Sequence, residues 1–508
     1  MSTQYPFDRT GTEVGDDGIR RYTDLPEDVV QMLRHTVDRF GDRTAVVEVG
    51  GPSATYAELW SRAARVAGGL CAAGVAPGDR VAVHLGNGLD WLLAYWGTLL
   101  AGGIVVPVNT RLAEAEVAFV LEDCGARYVV RPGEPLPDGE PVQAHRAAHR
   151  DVASLFYTSG TTGRPKGAMN THENLLSNVE SSIRCSRLVR DGSAHSVALV
   201  SVPLFHVTGC NSQMLTQLAI GGTVVVLPRL DLPALIDAVS RYRVTMMTTV
   251  PTIWELTLRH PDLAGADLSS LRTVNYGGAP IAPELVHRLR AVFPTARLGN
   301  GFGMSEAAAL ITFLPDEYSH DHPDSVGFPI PVVDVRVEHP DPVSGVGELL
   351  VRGQNVAAGY WGDPARTAET FVDGWLHTGD LARIDDGMVR IVDRVKDMIN
   401  RGGENVYCVE VENALAAHPD VVEVAVVGVA DPVMGEKVGA VVQPRPGVGA
   451  EELVPSLIAH ARGLLADYKV PQFVRVLDVP LPRNASGKVL KRPLRATTGW
   501  TEVPRAPR

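Results

Sequence analysis

Residues 158–167 read TSGTTGRPKG, which sets four hydroxyl side chains, three glycines and a lysine, Lys166, within ten positions. Glycines let a backbone approach a ligand closely, N–H groups and hydroxyls can donate to phosphate oxygens, and a lysine adds a mobile point charge. The chemistry is that of a loop cradling nucleotide phosphates. It is not the Walker A form, which needs Ser or Thr directly after the lysine to hold magnesium; here Pro165 precedes Lys166 and Gly167 follows it. Lysine is also scarce: of 47 basic residues only Lys166, Lys396, Lys437, Lys469, Lys488 and Lys491 are lysine, so each position that carries one is worth inspecting.

Such a loop needs elements on either side to aim it. Ser154–Tyr157 reads as a strand entering the loop, and a helix is expected to begin near Thr171. Upstream, Leu59, Ala63, Val66, Ala67 and Leu70 fall at helical spacing within 54–74, and Arg80 to Leu85 alternates like a strand. The same alternation of helix and strand runs to about residue 330, which predicts an α/β fold with parallel or mixed sheets covered by helices and sites at loops beyond strand ends. From Val333 to Arg352 short strands with Gly and Pro turns predict a small β subdomain. A charged stretch, Val392 to Arg401, then leads to a C-terminal piece of domain size.

The chain has 508 residues, enough for several domains, and its 45% hydrophobic and 21% charged composition excludes global disorder. Its 47 basic and 59 acidic residues give a net charge of −12, which argues against a nucleic-acid partner because such binding needs basic surface. Cys71, Cys124, Cys185, Cys210 and Cys408 are odd in number, far apart and without a CxxC pair. Neither a disulfide framework nor a zinc site is expected, and the reading is a reduced, cytoplasmic protein. The first residues, MSTQYPFDRTGTEVGDDGIRR, lack the apolar core of a signal peptide. Trp91 to Thr110 is uncharged and long enough for a membrane span. Gly102 and Gly103 divide it into a helix and a β-branched strand ended by Pro107, so a buried α/β unit is expected and no integral membrane segment.

The string YTSGTTGRPKGAMNTHEN resembles the signature of the adenylate-forming superfamily, which comprises acyl-CoA synthetases, aryl-CoA ligases, peptide-synthetase adenylation domains and firefly-type luciferases. Six further strings match the family's motifs in the family's order: PLFHVTG (203–209), YGGAPIAPE (276–284), NGFGMSEAA (300–308), GWLHTGDL (374–381), VDRVKDMINRGGENVYCVEVE (392–412) and LPRNASGKVLKRPL (481–494). The resemblance covers about residues 28 to 495 and is closest to the acyl-CoA synthetases.

The resemblance implies a two-step reaction: a carboxylate attacks the α-phosphate of MgATP to give an acyl-adenylate and pyrophosphate, and a thiol then displaces AMP. Thr158, Ser159, Gly160, Thr161, Thr162, Gly163 and Lys166 match the loop over the β- and γ-phosphates, with Thr161 and Glu306 the implied Mg²⁺ ligands. Gly277, Gly278, Ala279, Asn300, Gly301 and Phe302 resemble the adenine pocket, where small residues let a purine lie close and Phe302 offers a stacking face. Ser305 keeps the hydroxyl of a common threonine beside Glu306. Asp380 and Arg394 match the residues on the ribose hydroxyls, and Lys488 matches the lysine that contacts the α-phosphate and the carboxylate during adenylation.

The same family pattern implies a large N-terminal domain (1–393), a hinge (394–396, centred on Lys396) and a small mobile α+β C-terminal domain (397–508). Rotation about the hinge withdraws Lys488 and presents Gly402 and Gly403 to the pantetheine arm of the thiol. His206 matches a position that borders the acyl pocket, and a gating role is favoured over a catalytic base. Val207, Gly209, Cys210, Gly303 and Met304 are expected to line that pocket. The lining lacks an Asp for an α-ammonium group, so a hydrophobic carboxylic acid is expected and an amino acid is not. CoA is the leading acceptor and an acyl carrier protein the alternative; a luciferase-like oxygenase and a non-catalytic nucleotide binder are weaker rivals, and a homodimer is left open. One departure bears on the thiol step: Cys408 stands where the family usually has proline, which raises the expectation of an altered backbone after the Gly402–Gly403 loop.

Overall fold

The computed structural model describes residues 5–142, 145–158, 164–190, 192–483 and 489–503. They divide into two compact units. The first holds residues up to 336 together with 350–377 and 384–390, and the second holds 337–349, 378–383 and everything from 391 onward. The second unit therefore takes two short segments that precede the expected hinge. Hydrogen bonds explain their membership: Thr378 Oγ1 donates to Leu349 O at 2.7 Å, Gly379 N to the Glu348 carboxylate at 3.0 Å, and Val395 N to Gly379 O at 3.0 Å.

Two α/β sheets build the first unit. The larger has nine strands and a parallel heart, in the order Arg297–Met304, Thr273–Gly277, Met246–Thr249, Val197–Val200, Thr223–Val226 and Thr44–Glu48. Antiparallel strands flank it: Ala309–Leu314 and Phe328–Pro329 on one side, Ser53–Thr55 on the other. The smaller sheet runs Tyr128–Val130, Arg80–Val83, Ile104–Pro107, Val152–Thr158, Lys166–Thr171, and only its last strand is antiparallel.

The uncharged run resolves as expected from its glycines. Helix Leu89–Leu100 carries Trp91, Tyr95 and Trp96 fully buried, Gly102 turns the chain at φ +77°, and strand Ile104–Pro107 follows inside the smaller sheet. Every residue of this helix except Asp90 is buried, by protein, which is why it lacks a polar face. No helix among the described residues is long and apolar enough to cross a membrane.

A five-stranded sheet contains Val333–Glu338, Gly347–Gly353, Trp375–Asp385, Phe371–Val372 and Met388–Arg394; its first two strands fall in the β segment expected from Val333 to Arg352, and the other three lie beyond it. The second unit adds a six-stranded sheet centred on Gly435–Pro444, with helices Cys408–Ala416 and Ala450–Leu464. Its core is formed by residues such as Ile399, Val411, Val426 and Leu457.

Candidate active site

The phosphate-type loop is flanked by two paired strands. Strand Val152–Thr158 pairs antiparallel with Lys166–Thr171, and the register sets Thr158 directly opposite Lys166, so both rims of the loop are held by ladder bonds. The expected helix does begin at His172, with Thr171 as its N-cap in a capping box, but a six-residue strand stands between it and the loop. Ser159, Gly160, Thr161, Thr162 and Gly163 lie outside the described residues, as does Lys488. At the described rim, Thr158 Oγ1 is buried and has no hydrogen-bond partner.

On its other edge the Lys166–Thr171 strand is flanked by residues 358–361. Met169 N donates to Gly359 O at 2.9 Å, Ala358 N to Met169 O at 2.9 Å and Trp361 N to Gly167 O at 2.8 Å. This pairing delivers Tyr360 to Lys166. Lys166 Nζ donates to the Tyr360 hydroxyl and lies 4.0 Å from its ring centroid, and the hydroxyl donates onward to Glu306 Oε1 at 2.9 Å. Nζ and Oε1 are 3.6 Å apart. Glu306 and Tyr360 are only 4% and 2% exposed. Burial lowers the Lys166 pKa from the usual lysine range against the opposing pull of Glu306, and it raises that of Tyr360, reinforced by the Glu306 charge.

Glu306 sits in the turn Ser305–Ala307 between antiparallel strands Arg297–Met304 and Ala309–Leu314. The chain leaves that turn through two non-glycine residues at positive φ, Ala308 at 54° and Ala309 at 138°. Such conformations cost about 1–3 kcal/mol each and persist only where surroundings impose them. Here three buried asparagines do so. Asn355 Nδ2 donates to Ala307 O at 3.0 Å and Leu310 O at 2.6 Å, Asn211 Nδ2 donates to Ala308 O at 2.8 Å, and Asn178 Oδ1 accepts from Leu310 N at 3.0 Å. Ala357 N adds a bond to Glu306 O at 2.9 Å. Glu306 Oε2 accepts no hydrogen bond from the described residues. A rigidly held, buried carboxylate with one oxygen unclaimed fits Mg²⁺, which takes hard oxygen ligands.

The adenine-type residues gather at the carboxyl ends of two adjacent parallel strands, where Gly277 is in register with Gly301. Packing alone demands some of the motif glycines here, Gly277 of the adenine set and Gly303 of the expected acyl lining. A Cβ on Gly277 would lie 2.2 Å from Gly301 O, and one on Gly303 1.5 Å from Ala309 O. Gly278, at φ +74°, and Ala279 are exposed, Phe302 is half-buried, and Asn300 Nδ2 donates to Ser325 O at 3.0 Å.

On the acyl side, Thr208–Leu215 forms a π-helical segment, a rare conformation that recurs at functional sites. His206 is half-buried with its ring against Phe205, and Val207 is buried. Gly209 is held small by Pro203 O, 2.4 Å from where its Cβ would stand. Cys210 is enclosed in the hydrophobic core, which also holds Tyr95, and burial raises its thiol pKa.

In the second unit the two ribose-type residues meet: Arg394 Nε stands 3.1 Å from Asp380 Oδ1, with Asp380 buried and Arg394 exposed. The Lys396 and Asp397 carbonyls accept from Arg495 Nη2 at 3.1 and 3.3 Å. Gly402 and Gly403, at φ +63° and +93°, form a two-residue turn between Ile399–Arg401 and Glu404–Val406; positive φ at both central positions is the hairpin geometry that favours glycine. Cys408 is the first residue of its helix, the position where proline fits best, so the substitution leaves the helix start intact. It adds a donor, because Cys408 N bonds the Asp393 carboxylate. The lysines without a role in the motifs are structural: Lys437 pairs with Asp431 at 2.7 Å, Lys469 with Glu410 at 2.6 Å and Lys491 with Glu412 at 2.7 Å.

Tyr360, Asn178 and Asn355 escape the motif reading. The string GYW at 359–361, a glycine followed by two aromatics, is the one local signal that could have pointed to Tyr360.

Fold and site together define an α/β protein with a lysine at the rim of a phosphate-type loop beside a buried carboxylate suited to magnesium. The AMP-binding enzyme family matches residues 33–361 and the AMP-binding enzyme C-terminal domain matches 410–488, and the chain belongs to that family. A feruloyl-CoA synthase from Amycolatopsis sp is 40% identical over 492 residues, covering 91% of this chain and 97% of the relative. A long-chain-fatty-acid–CoA ligase from Bacillus subtilis is 32% identical, covering 92% and 94%. Among solved structures, the o-succinylbenzoate CoA synthetase of Bacillus subtilis in complex with its acyl-adenylate intermediate matches with a TM-score of 0.82 at 30% identity, covering 92% and 99%. The chain is an AMP-forming acid–thiol ligase: it uses ATP with Mg²⁺ to make an acyl-adenylate and CoA as the co-substrate that takes the acyl group.

Proposed function

We propose that the acid is an aromatic, hydroxycinnamate-type carboxylic acid and that CoA itself, free of any carrier protein, is the acceptor. The observation that carries this reading is the 40% identity to a feruloyl-CoA synthase across nine-tenths of the chain, against 32% for the fatty-acid ligase of Bacillus subtilis. A hydrophobic acid also suits the buried apolar side chains on the acyl side, Phe205, Val207 and Met214 among them.

Thr158 and Lys166 serve the β- and γ-phosphates, and Glu306 holds the metal, with Thr161, outside the described residues, assigned to the same ion by its motif. Mg²⁺ held there would neutralise charge on the phosphate oxygens as the carboxylate attacks. Asp380 and Arg394 hold the ribose, Lys488 meets the α-phosphate, Lys396 is the hinge, and Gly402 and Gly403 admit the thiol arm. His206 borders the acyl group and gates it.

A panel of ferulate, 4-coumarate, benzoate and medium to long fatty acids, followed by pyrophosphate release and by mass spectrometry of the thioester with CoA or with a phosphopantetheinylated carrier protein, tests this. Ferulate-type acids are expected to give the highest kcat/KM, with the CoA thioester as product. A fatty acid turned over faster than every aromatic acid would overturn the acid assignment, and a carrier-bound product in place of the CoA thioester would overturn the acceptor.

A further inference from the structure

We infer that Tyr360 is a positioning residue that keeps Lys166 and Glu306 from closing on one another, so that each stays available to its own part of MgATP. The inference rests on the proposed roles of Lys166 toward phosphate and Glu306 toward magnesium.

The geometry is specific. Lys166 Nζ and Glu306 Oε1 already form an ion pair at 3.6 Å in a mostly buried setting, longer than a hydrogen bond and close enough that a small shift would bring them into direct hydrogen-bonded contact. Such a contact would neutralise the two charges the substrate needs. It would draw the carboxylate toward the lysine and away from a metal on Oε2, and turn the ammonium away from phosphate. The Tyr360 hydroxyl bridges them from one side and competes with their direct contact. It accepts from Nζ and donates to Oε1, which leaves the lysine with further N–H donors and Glu306 with its second oxygen, Oε2. The tyrosine is itself fixed: its backbone pairs with the Lys166–Thr171 strand through the Ala168–Tyr360 bridge, its N–H donates to Thr367 Oγ1 at 2.9 Å, and its ring packs edge-on against Phe371. The spacer therefore cannot swing away with the lysine.

Tyr360→Phe removes the hydroxyl and keeps the ring, including its face toward the ammonium 4.0 Å away. Hydrogen bonds to charged groups correspond to about 10- to 100-fold in a binding constant. With Lys166 and Glu306 free to pair, ATP affinity of the full-length protein is expected to fall about tenfold at limiting Mg²⁺, and the deficit to shrink as Mg²⁺ is raised, because the metal competes the carboxylate away from the lysine. A purely structural role would lower affinity equally at all Mg²⁺ concentrations. In the Lys166→Met background the competitor is gone, so adding Tyr360→Phe is expected to change little.

Isothermal titration with ATP at limiting and saturating Mg²⁺, for the wild type, both single variants and the double, reads all of this. If Tyr360→Phe binds ATP as the wild type does at limiting Mg²⁺, or loses affinity independently of Mg²⁺, the inference is overturned. If Lys166→Met itself binds ATP normally, the failure lies in the assignment of the lysine to phosphate, one step earlier.

Discussion

Replacing Asn355 by leucine probes how the Glu306 turn is held. Asn355 is fully buried, and its one amide nitrogen serves two carbonyls, Ala307 O at 3.0 Å and Leu310 O at 2.6 Å, on either side of the two positive-φ alanines. Leucine has nearly the same shape and no donor. Leaving two buried carbonyls without this donor costs about 1–3 kcal/mol each. Against that, Asn355 Oδ1 is buried without a partner, so its removal returns about 1–2 kcal/mol. At mid-range the cost of about 4 kcal/mol less a return of about 1.5 leaves a net loss of about 2.5 kcal/mol, of the same size as the backbone strain at Ala308 and Ala309 that it would release. At about 2 °C per kcal/mol for a large domain, the melting temperature is expected to fall by about 5 °C. ATP affinity should become more dependent on Mg²⁺ as Glu306 loses its fixed orientation. Asn355→Asp is the informative control: it keeps the shape but presents acceptors to acceptors, so it must be at least as harmful as leucine. A benign Asn355→Asp variant, or a leucine variant that melts with the wild type and keeps its Mg²⁺ dependence, would refute the argument.

Two further outcomes are expected. His172 is buried and its Nδ1 accepts from Val29 N at 3.3 Å; burial holds its pKa below the ordinary 6.5, with Asp28 and Asp151 pulling it up and His149 and His145 pushing it down. A depressed folded-state value means the stabilisation is present above 6.5 and lost as pH falls, with a slope of at most about 1.4 kcal/mol per pH unit; His172→Asn, which can still accept from Val29, is expected to flatten melting temperature against pH between neutrality and about pH 5, and an unchanged slope would count against it. Cys408→Pro restores the residue usual in the family at a helix start that accepts it, yet removes the N–H that meets the Asp393 carboxylate, which is buried and whose pKa burial raises. The lost donor should outweigh proline's gain of about 0.4–1 kcal/mol, so calorimetry is expected to show a net destabilisation of about 1–2 kcal/mol, and a stabilised variant would deny the Cys408–Asp393 bond its role.

What the sequence made legible follows the range over which each signal acts. The uncharged run at 91–110 was readable as helix and strand because its punctuation, Gly102, Gly103 and Pro107, lies inside it. The helix start at Thr171 was readable from its own cap. Strand Lys166–Thr171 was not, because KGAMNT carries a glycine, an alanine and an asparagine, which disfavour strands, and its conformation is imposed by Val152–Thr158 on one edge and residues 358–361 on the other. Lys166 and Tyr360 are 194 positions apart, a distance at which periodicity says nothing.

The glycines show a second limit. A glycine in a motif states that a Cβ is excluded, without saying by what. At Gly277, Gly303 and Gly209 the excluding atom is a neighbouring backbone oxygen, so these positions are explained before any ligand is considered; at Gly403 no atom lies within reach of a Cβ, and only the left-handed turn asks for glycine. Space for a purine, an acyl chain or a thiol arm must therefore be argued from the open positions, Gly278 and Gly403 among them. The three asparagines behind Glu306 make the converse point: a polar residue in an apolar surrounding draws no notice as a letter. Its function, holding a strained turn, exists only once the carbonyls it serves have been brought to it.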